Sequence, residues 1–137
     1  MTWVTERRPH VDRCASAWFI RRFVDGKAVF RFIERGETIP RGSIPYDLPS
    51  AALGHHGRLV TFDALLAKYP RKDGGLSRMA DLVRDIDLGI FRLPESHGLD
   101  HILYGLLLAE ADDREILRQT HPIFEGLYRY LGGEGET

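Results

Sequence analysis

One cysteine, three lysines and no long apolar run set the first bounds on this chain of 137 residues. A lone Cys14 excludes an internal disulfide framework and a self-contained cysteine metal cluster. No segment approaches the ~20 apolar residues of a membrane-spanning helix, and no charged-then-apolar leader opens the chain. The expectation is a cytoplasmic protein with no membrane partner. Walker A, G-x-G-x-x-G and G-x-S-x-G patterns are all absent, so no nucleotide cofactor and no serine-hydrolase chemistry are expected. A net charge of −1 provides no basic field for nucleic acid. The partner expected is a small anionic ligand.

What is present is 43% hydrophobic and 28% charged, the balance of a globular protein. The length fits one domain, residues 1–137, able to bury roughly two thirds of its unfolded surface. Charge is unevenly spread. Residues 1–41 carry a surplus of +4, whereas from Glu95 onward only Arg114, Arg118 and Arg129 oppose nine carboxylates. Arginine outnumbers lysine sixteen to three. That ratio suits a GC-rich genome and equally suits planar, bidentate recognition of an oxyanion.

Periodicity divides the chain into a mixed first half and a helical second half. Trp3–Thr5 is a short strand in this reading. Asp12 caps a helix reaching about Val24, with Cys14, Ala15, Trp18, Phe19 and Phe23 on one face. Asp25-Gly26 stops it, and Ala28–Ile33 alternates as a strand does. A Gly- and Pro-rich loop over 35–49 holds a short strand at Ser43–Tyr46, and Leu53–Val60 reads as a further strand or hairpin. Helices follow over Thr61–Tyr69, Leu76–Ile86 and His97–Ala111. A last helix is capped by Asp112 or Asp113 and ends before Gly132-Gly133, with Pro122 expected to kink or split it. The fold class is α+β: a small N-terminal sheet with a strand–helix–strand entry, packed against a mainly helical C-terminal half. Only Glu134–Thr137 reads as a disordered end.

Three groups of residues could carry chemistry. Asp12-Arg13-Cys14 is either a helix cap, a solvated arginine and a small core residue, or a site. In the second reading Asp12 is a metal ligand or base, Arg13 an oxyanion clamp and Cys14 a thiol of lowered pKa. Arg21 or Arg22 shares a helix face with them. His55-His56-Gly57, followed by Asp63, offers an imidazole and a carboxylate for a divalent metal such as zinc, manganese or iron. Adjacent histidines on a strand point to opposite faces, so only one of them faces inward. His97-x-x-Asp100-His101-x-x-Tyr104 lies along one helical face, and histidines at i and i+4 can chelate a metal. The glutamate of a zincin helix is missing, and a polar stripe is the plainer reading.

Taken together, Trp3-Val4-Thr5, Arg8-Pro9, Val11-Asp12-Arg13, Ala17 through Asp25, Ile44-Pro45-Tyr46-Asp47, and His55-x-Gly57 with Thr61-Phe62-Asp63 resemble the chromate resistance (ChrB C-terminal) domain family. Order and spacing match over roughly residues 3–90. Asp12, Arg13, Trp18, Arg21, Arg22, Asp47, His55, Gly57 and Asp63 stand at family-like positions. Members of this family accompany chromate efflux transporters, and longer relatives are chromate-responsive regulators with an added N-terminal domain. The resemblance therefore implies the C-terminal domain standing alone, without DNA binding of its own. Val60 stands where relatives often carry cysteine. His97, Asp100 and His101 stand where smaller or apolar residues are expected. A weaker likeness, of His10–Ala17 to the strand-to-helix turn of manganese-dependent DHH phosphoesterases, lacks the D-H-H triplet.

Three functional readings follow. The first is a cytosolic domain that binds or senses chromate or a similar oxyanion, alone or with a bound divalent metal. Ligand contacts then fall to Asp12, Arg13, Arg21, Arg22 and Asp47, and metal contacts to His55, Asp63, His97 and His101. The second is a small metal-dependent hydrolase or redox enzyme acting on an anionic substrate, with Asp12 or Cys14 as catalytic candidates. The third makes the polar residues a structural ion-pair network, for example Arg21 with Asp47.

Overall fold

The computed structural model describes residues 1–133, and the tail 134–137 read above as disordered lies outside the described residues. Strand β1 (Thr2–Glu6) runs into helix α1 (Val11–Phe19), which continues as one π turn over Ile20–Val24. Strands β2 (Val29–Ile33) and β3 (Ile44–Pro45) follow. Four helices follow among the described residues: α2 (Thr61–Lys68), α3 (Gly74–Asp87), α4 (Ser96–Ala109) and α5 (Asp113–Tyr130). The strands form a parallel sheet in the order β2-β1-β3, with Trp3 opposite both Phe30 and Ile44. The α+β architecture expected from the sequence is the one observed.

Apolar spacing explains how the layers close. Trp3, Trp18, Phe19, Phe62, Phe124 and Tyr128 are almost wholly buried in one cluster that joins sheet and helices. Trp18 meets Tyr128 at 5.3 Å between rings, and Phe19 meets Phe62 at 5.7 Å, so α1 is held on one side by α5 and on another by α2. Such aromatic pairs add about 1 kcal/mol each beyond burial. Polar links finish the joint, since Trp18 Nε1 donates to Glu125 at 3.0 Å. Arg8, at φ +59°, donates to the carbonyls of Leu107, Glu110 and Ala111 and pairs with Asp113. It therefore satisfies carbonyls that the end of α4 leaves open, and ties β1 to the α4–α5 corner.

Three local expectations change. Asp12 is the second residue of α1, whose N-cap is His10, so Asp12 does not cap its own helix. Of the strand or hairpin expected over 53–60 only a minimal hairpin forms: His56 and Leu59 bridge antiparallel around the turn at Gly57-Arg58, with no longer strand. Pro122 does not split α5, which runs unbroken from Asp113 to Tyr130. Buried Ile116, Leu117 and Thr120 before the proline, and Phe124 and Tyr128 after it, anchor both halves. Their packing offsets the ~3 kcal/mol that an interior proline costs a helix.

Candidate functional site

Asp12 is where the fold concentrates polar chemistry. Its side chain is 2% exposed and lies at the start of α2. Oδ2 accepts from the Thr61 backbone N–H at 2.9 Å and Oδ1 from that of Phe62 at 3.0 Å. Ser16 Oγ donates to Oδ1 at 3.4 Å. A carboxylate from α1 thus satisfies two N–H groups that the first turn of α2 leaves open, where the helix dipole also favours negative charge.

Around it stand His55, Asp47 and Asp87. His55 Nε2 lies 2.9 Å from Asp12 Oδ2, 3.1 Å from Asp87 Oδ2 and 3.5 Å from Asp47 Oδ1. The hydrogen bond to Asp12, joined by the charges of Asp12, Asp47 and Asp87, raises the imidazole pKa to about 9. Asp47 sits in a loop at φ +49° and accepts from Thr61 Oγ1 at 2.9 Å. Burial, and then the nearby charge of Asp12, push its carboxyl up to about 6 even though Arg13 opposes the shift. Asp87, the last residue of α3, is raised for the same two reasons. Arg13 Nε is shut off from water and lies 3.1 Å from Asp47 Oδ2, a charge contact out of line for a hydrogen bond.

The cluster is rich in carboxylate for its one imidazole. Asp12, His55 and Asp87 each offer one ligand atom, and these atoms all lie within 4.8 Å of one another. Oxygen-rich sets with one imidazole suit divalent manganese, iron or zinc. A cleft of about 270 Å³ opens beside them, bounded by Arg13, Arg35, Asp47, His55 and the loop 48–50. A larger hollow of about 550 Å³, walled by Leu59, Leu88, Ile90 and Leu93, contains none of these four residues.

The other candidates fall elsewhere. Arg21 donates to the Ala28 carbonyl at 2.7 Å and lies over the Phe30 ring. Arg22 pairs with Glu125 at 3.2 Å and lies over Phe23. Both tie α1 to its neighbours, and the partner of Asp47 is Arg13 rather than Arg21. Asp63 accepts from the Val60 N–H at 3.0 Å and pairs with Arg84 at 3.0 Å, outside the Asp12–His55–Asp87 group. Cys14 is buried, and burial raises its thiol to about 12, the reverse of the lowered pKa that an activated thiol needs. His56 turns away from His55 to the Ala52 carbonyl. On α4, His97 stacks on Phe91 at 4.5 Å and stands 6.0 Å from His101, ring to ring. Among the described residues no third ligand joins that pair. Asp100 and Tyr104 of the same stripe turn to His10, at 3.3 Å and 5.9 Å.

Asp87 is the member that the sequence reading missed. Its signal was there: it falls four residues after Val83, where an apolar side chain would continue the buried stripe of α3. A carboxylate at such a position needs a partner.

A parallel three-stranded sheet backed by helices, with a partly exposed carboxylate–imidazole cluster gathered on the buried Asp12 at a helix start, defines a small α+β type of domain. Residues 3–131 match the model of the ChrB C-terminal domain. Protein ChrB of Cupriavidus metallidurans is 31% identical over 130 residues, which cover 94% of this chain and 40% of that protein. The chain belongs to the ChrB C-terminal domain family, and it spans less than half the length of this relative. No solved structure matches it.

Proposed function

We propose that this domain serves chromate resistance in the cytoplasm by holding a divalent cation on Asp12, His55 and Asp87 and receiving a small oxyanion beside it. The observation that carries the reading is His55 Nε2 set within 3.5 Å of three carboxylates. One imidazolium and Arg13, the partner of Asp47, leave one of the three carboxylate charges unbalanced, and a dication held by a neutral His55 offsets it. Arg13 and Arg35 line the adjoining cleft and suit a tetrahedral dianion. Arg21 and Arg22, engaged with Ala28 and Glu125, are not needed in this version.

The cation also supplies a means of telling an oxyanion from its surroundings, because open coordination positions accept oxygen ligands that arginines alone hold less selectively. A second reading, a metal-dependent enzyme acting on an anionic substrate, draws support from Asp47. A carboxyl raised to about 6 at the edge of a cleft is suited to accept a proton near neutral pH. The test is to titrate chromate and sulfate into metal-loaded and metal-stripped protein by calorimetry. Chromate binding that requires metal and weakens in Arg13→Ala supports the proposal. Metal-loaded protein that binds neither anion contradicts the oxyanion half of it.

A further inference from the structure

Away from the cation cluster, exposed apolar side chains gather at one concave place. Helix α3 ends at Asp87, and Gly89 and Phe91, at φ +71° and +55°, turn the chain sharply after it. Asp85 fixes that turn. Its carbonyl accepts from the Ile90 and Phe91 N–H groups, and its carboxylate from those of Arg92 and Leu93. With the backbone so held, Leu88, Ile90 and Leu93 remain on the outer side of the turn. The hairpin at His56–Leu59, turned at Gly57 with φ +63°, adds Arg58 and Leu59 to the same wall. The four apolar side chains are between 36% and 52% exposed and share one hollow of about 550 Å³. Apolar surface collected in a concavity of that size marks a small-molecule site.

Charge around the hollow narrows the class of molecule. Three arginines and two aspartates line it, and both acids are engaged. Asp81 pairs with Arg84, which also reaches Asp63 at 3.0 Å. Asp85 is buried and accepts from Ser96 Oγ besides the two N–H groups. Among the described residues the side chains of Arg58 and Arg92 make no hydrogen bond or ion pair, and Arg92 acts on Asp85 through its charge alone. Two guanidinium groups free for bidentate pairing therefore stand beside an apolar wall. We infer that the hollow is a second ligand site, separate from the Asp12–His55–Asp87 group, for a small amphipathic organic acid. Its apolar body covers Leu59, Leu88, Ile90 and Leu93, and its carboxylate pairs with the unengaged guanidinium groups of Arg58 and Arg92. An inorganic oxyanion has no apolar part to cover those side chains. Only nine residues line the hollow, against the ~20–30 a side of a standard protein interface, which favours a small molecule over a protein surface. None of the cation-cluster residues takes part, so the inference stands or falls independently of bound metal.

Fluorescence titration of the whole chain with anilinonaphthalene sulfonate, an apolar dye with one anionic group, followed by displacement with octanoate, tests this. Saturable binding of one dye per chain is expected, at a Kd on the order of tens of micromolar. Octanoate should displace the dye, and octanol, a body of the same length without the charge, should do so about tenfold less well. Ile90→Asp should abolish dye binding, and Arg58→Ala/Arg92→Ala should weaken octanoate about tenfold while leaving octanol unchanged. Leu108→Gln, on the exposed face of α4, should change neither. Ile90 is half exposed, so circular dichroism of Ile90→Asp should match the wild type. Should that variant unfold, Leu59→Gln and the double arginine variant decide in its place. No saturable binding of dye or octanoate below about 1 mM, leaving the hollow to a protein partner, would overturn the inference. So would octanoate and octanol of equal strength, or dye binding lost in Leu108→Gln and kept in Ile90→Asp.

Discussion

The molecule holds two groups of histidine and acid that look alike in sequence and behave differently in space. On α4, His97 and His101 are four residues apart on one helix, and that regular spacing brings the rings to 6.0 Å. Among the described residues no carboxylate joins them, and the stripe's own acid, Asp100, turns to His10. In the other group, Asp12, Asp47, His55 and Asp87 come from a helix start, two loops and a helix end. The three carboxylates meet within 3.5 Å of one nitrogen, His55 Nε2. Helical spacing makes neighbours cheaply, but a cation site needs several charged ligands taken out of water together. Only tertiary packing supplies that here.

That contrast can be broken most sharply at Asp12. Asp12→Ala strips the Thr61 and Phe62 N–H groups of their acceptor, so stability should fall by about 3 kcal/mol in denaturant unfolding. Cation binding should vanish with it. A variant as stable as the wild type would mean that the cap is dispensable. The next largest effect is on affinity. His55→Ala should weaken cation binding about 100-fold or more, while His97→Ala and His101→Ala change it less than about twofold by calorimetry. Equal losses from both histidine groups would erase the distinction between them.

A smaller effect appears with pH in metal-free protein. His55 titrates near 9 in the fold against an ordinary 6.5, so its contribution is complete below 6.5 and is lost as pH rises through 9. Asp47, raised to about 6, acts in the same direction at lower pH: its ionisation opposes folding as pH climbs from 3.8 through 6. The cluster's share of stability should therefore decline from acid to pH 9, and saturating cation should reverse the decline. His55→Gln should flatten the upper part of that curve, and an unchanged curve would show that the raised imidazole pKa is not coupled to folding. The smallest effect belongs to His56, an exposed residue whose ring reaches the Ala52 carbonyl. His56→Ala should shift stability by less than about 0.5 kcal/mol and leave binding alone.

Much of this was legible in the sequence. The strand–helix–strand entry and the four later helices follow from periodicity and turn residues, and the family likeness picks out Asp12, Arg13, Asp47 and His55, which the fold brings together. Local rules misled where tertiary packing prevailed. Asp12 has the chemistry of a helix cap and does cap a helix, but α2 rather than its own. Pro122 should interrupt α5, yet buried side chains on both sides of it hold the helix together. Arg21 and Arg22 share a helix with Arg13, and the π turn and its neighbours take them to Ala28 and Glu125. Asp87 lies 75 residues from Asp12, and no spacing rule links the two; only its polar intrusion into an apolar stripe marks it.

The most direct measurement is elemental analysis of the protein purified without a metal-affinity tag, beside Asp87→Asn and His101→Ala prepared identically. The account predicts near-stoichiometric manganese, iron or zinc in the wild type and in His101→Ala, and little in Asp87→Asn. Metal-free wild type that takes up none of the three on titration would contradict it. Metal retained by Asp87→Asn and lost from His101→Ala would place the site on α4 instead.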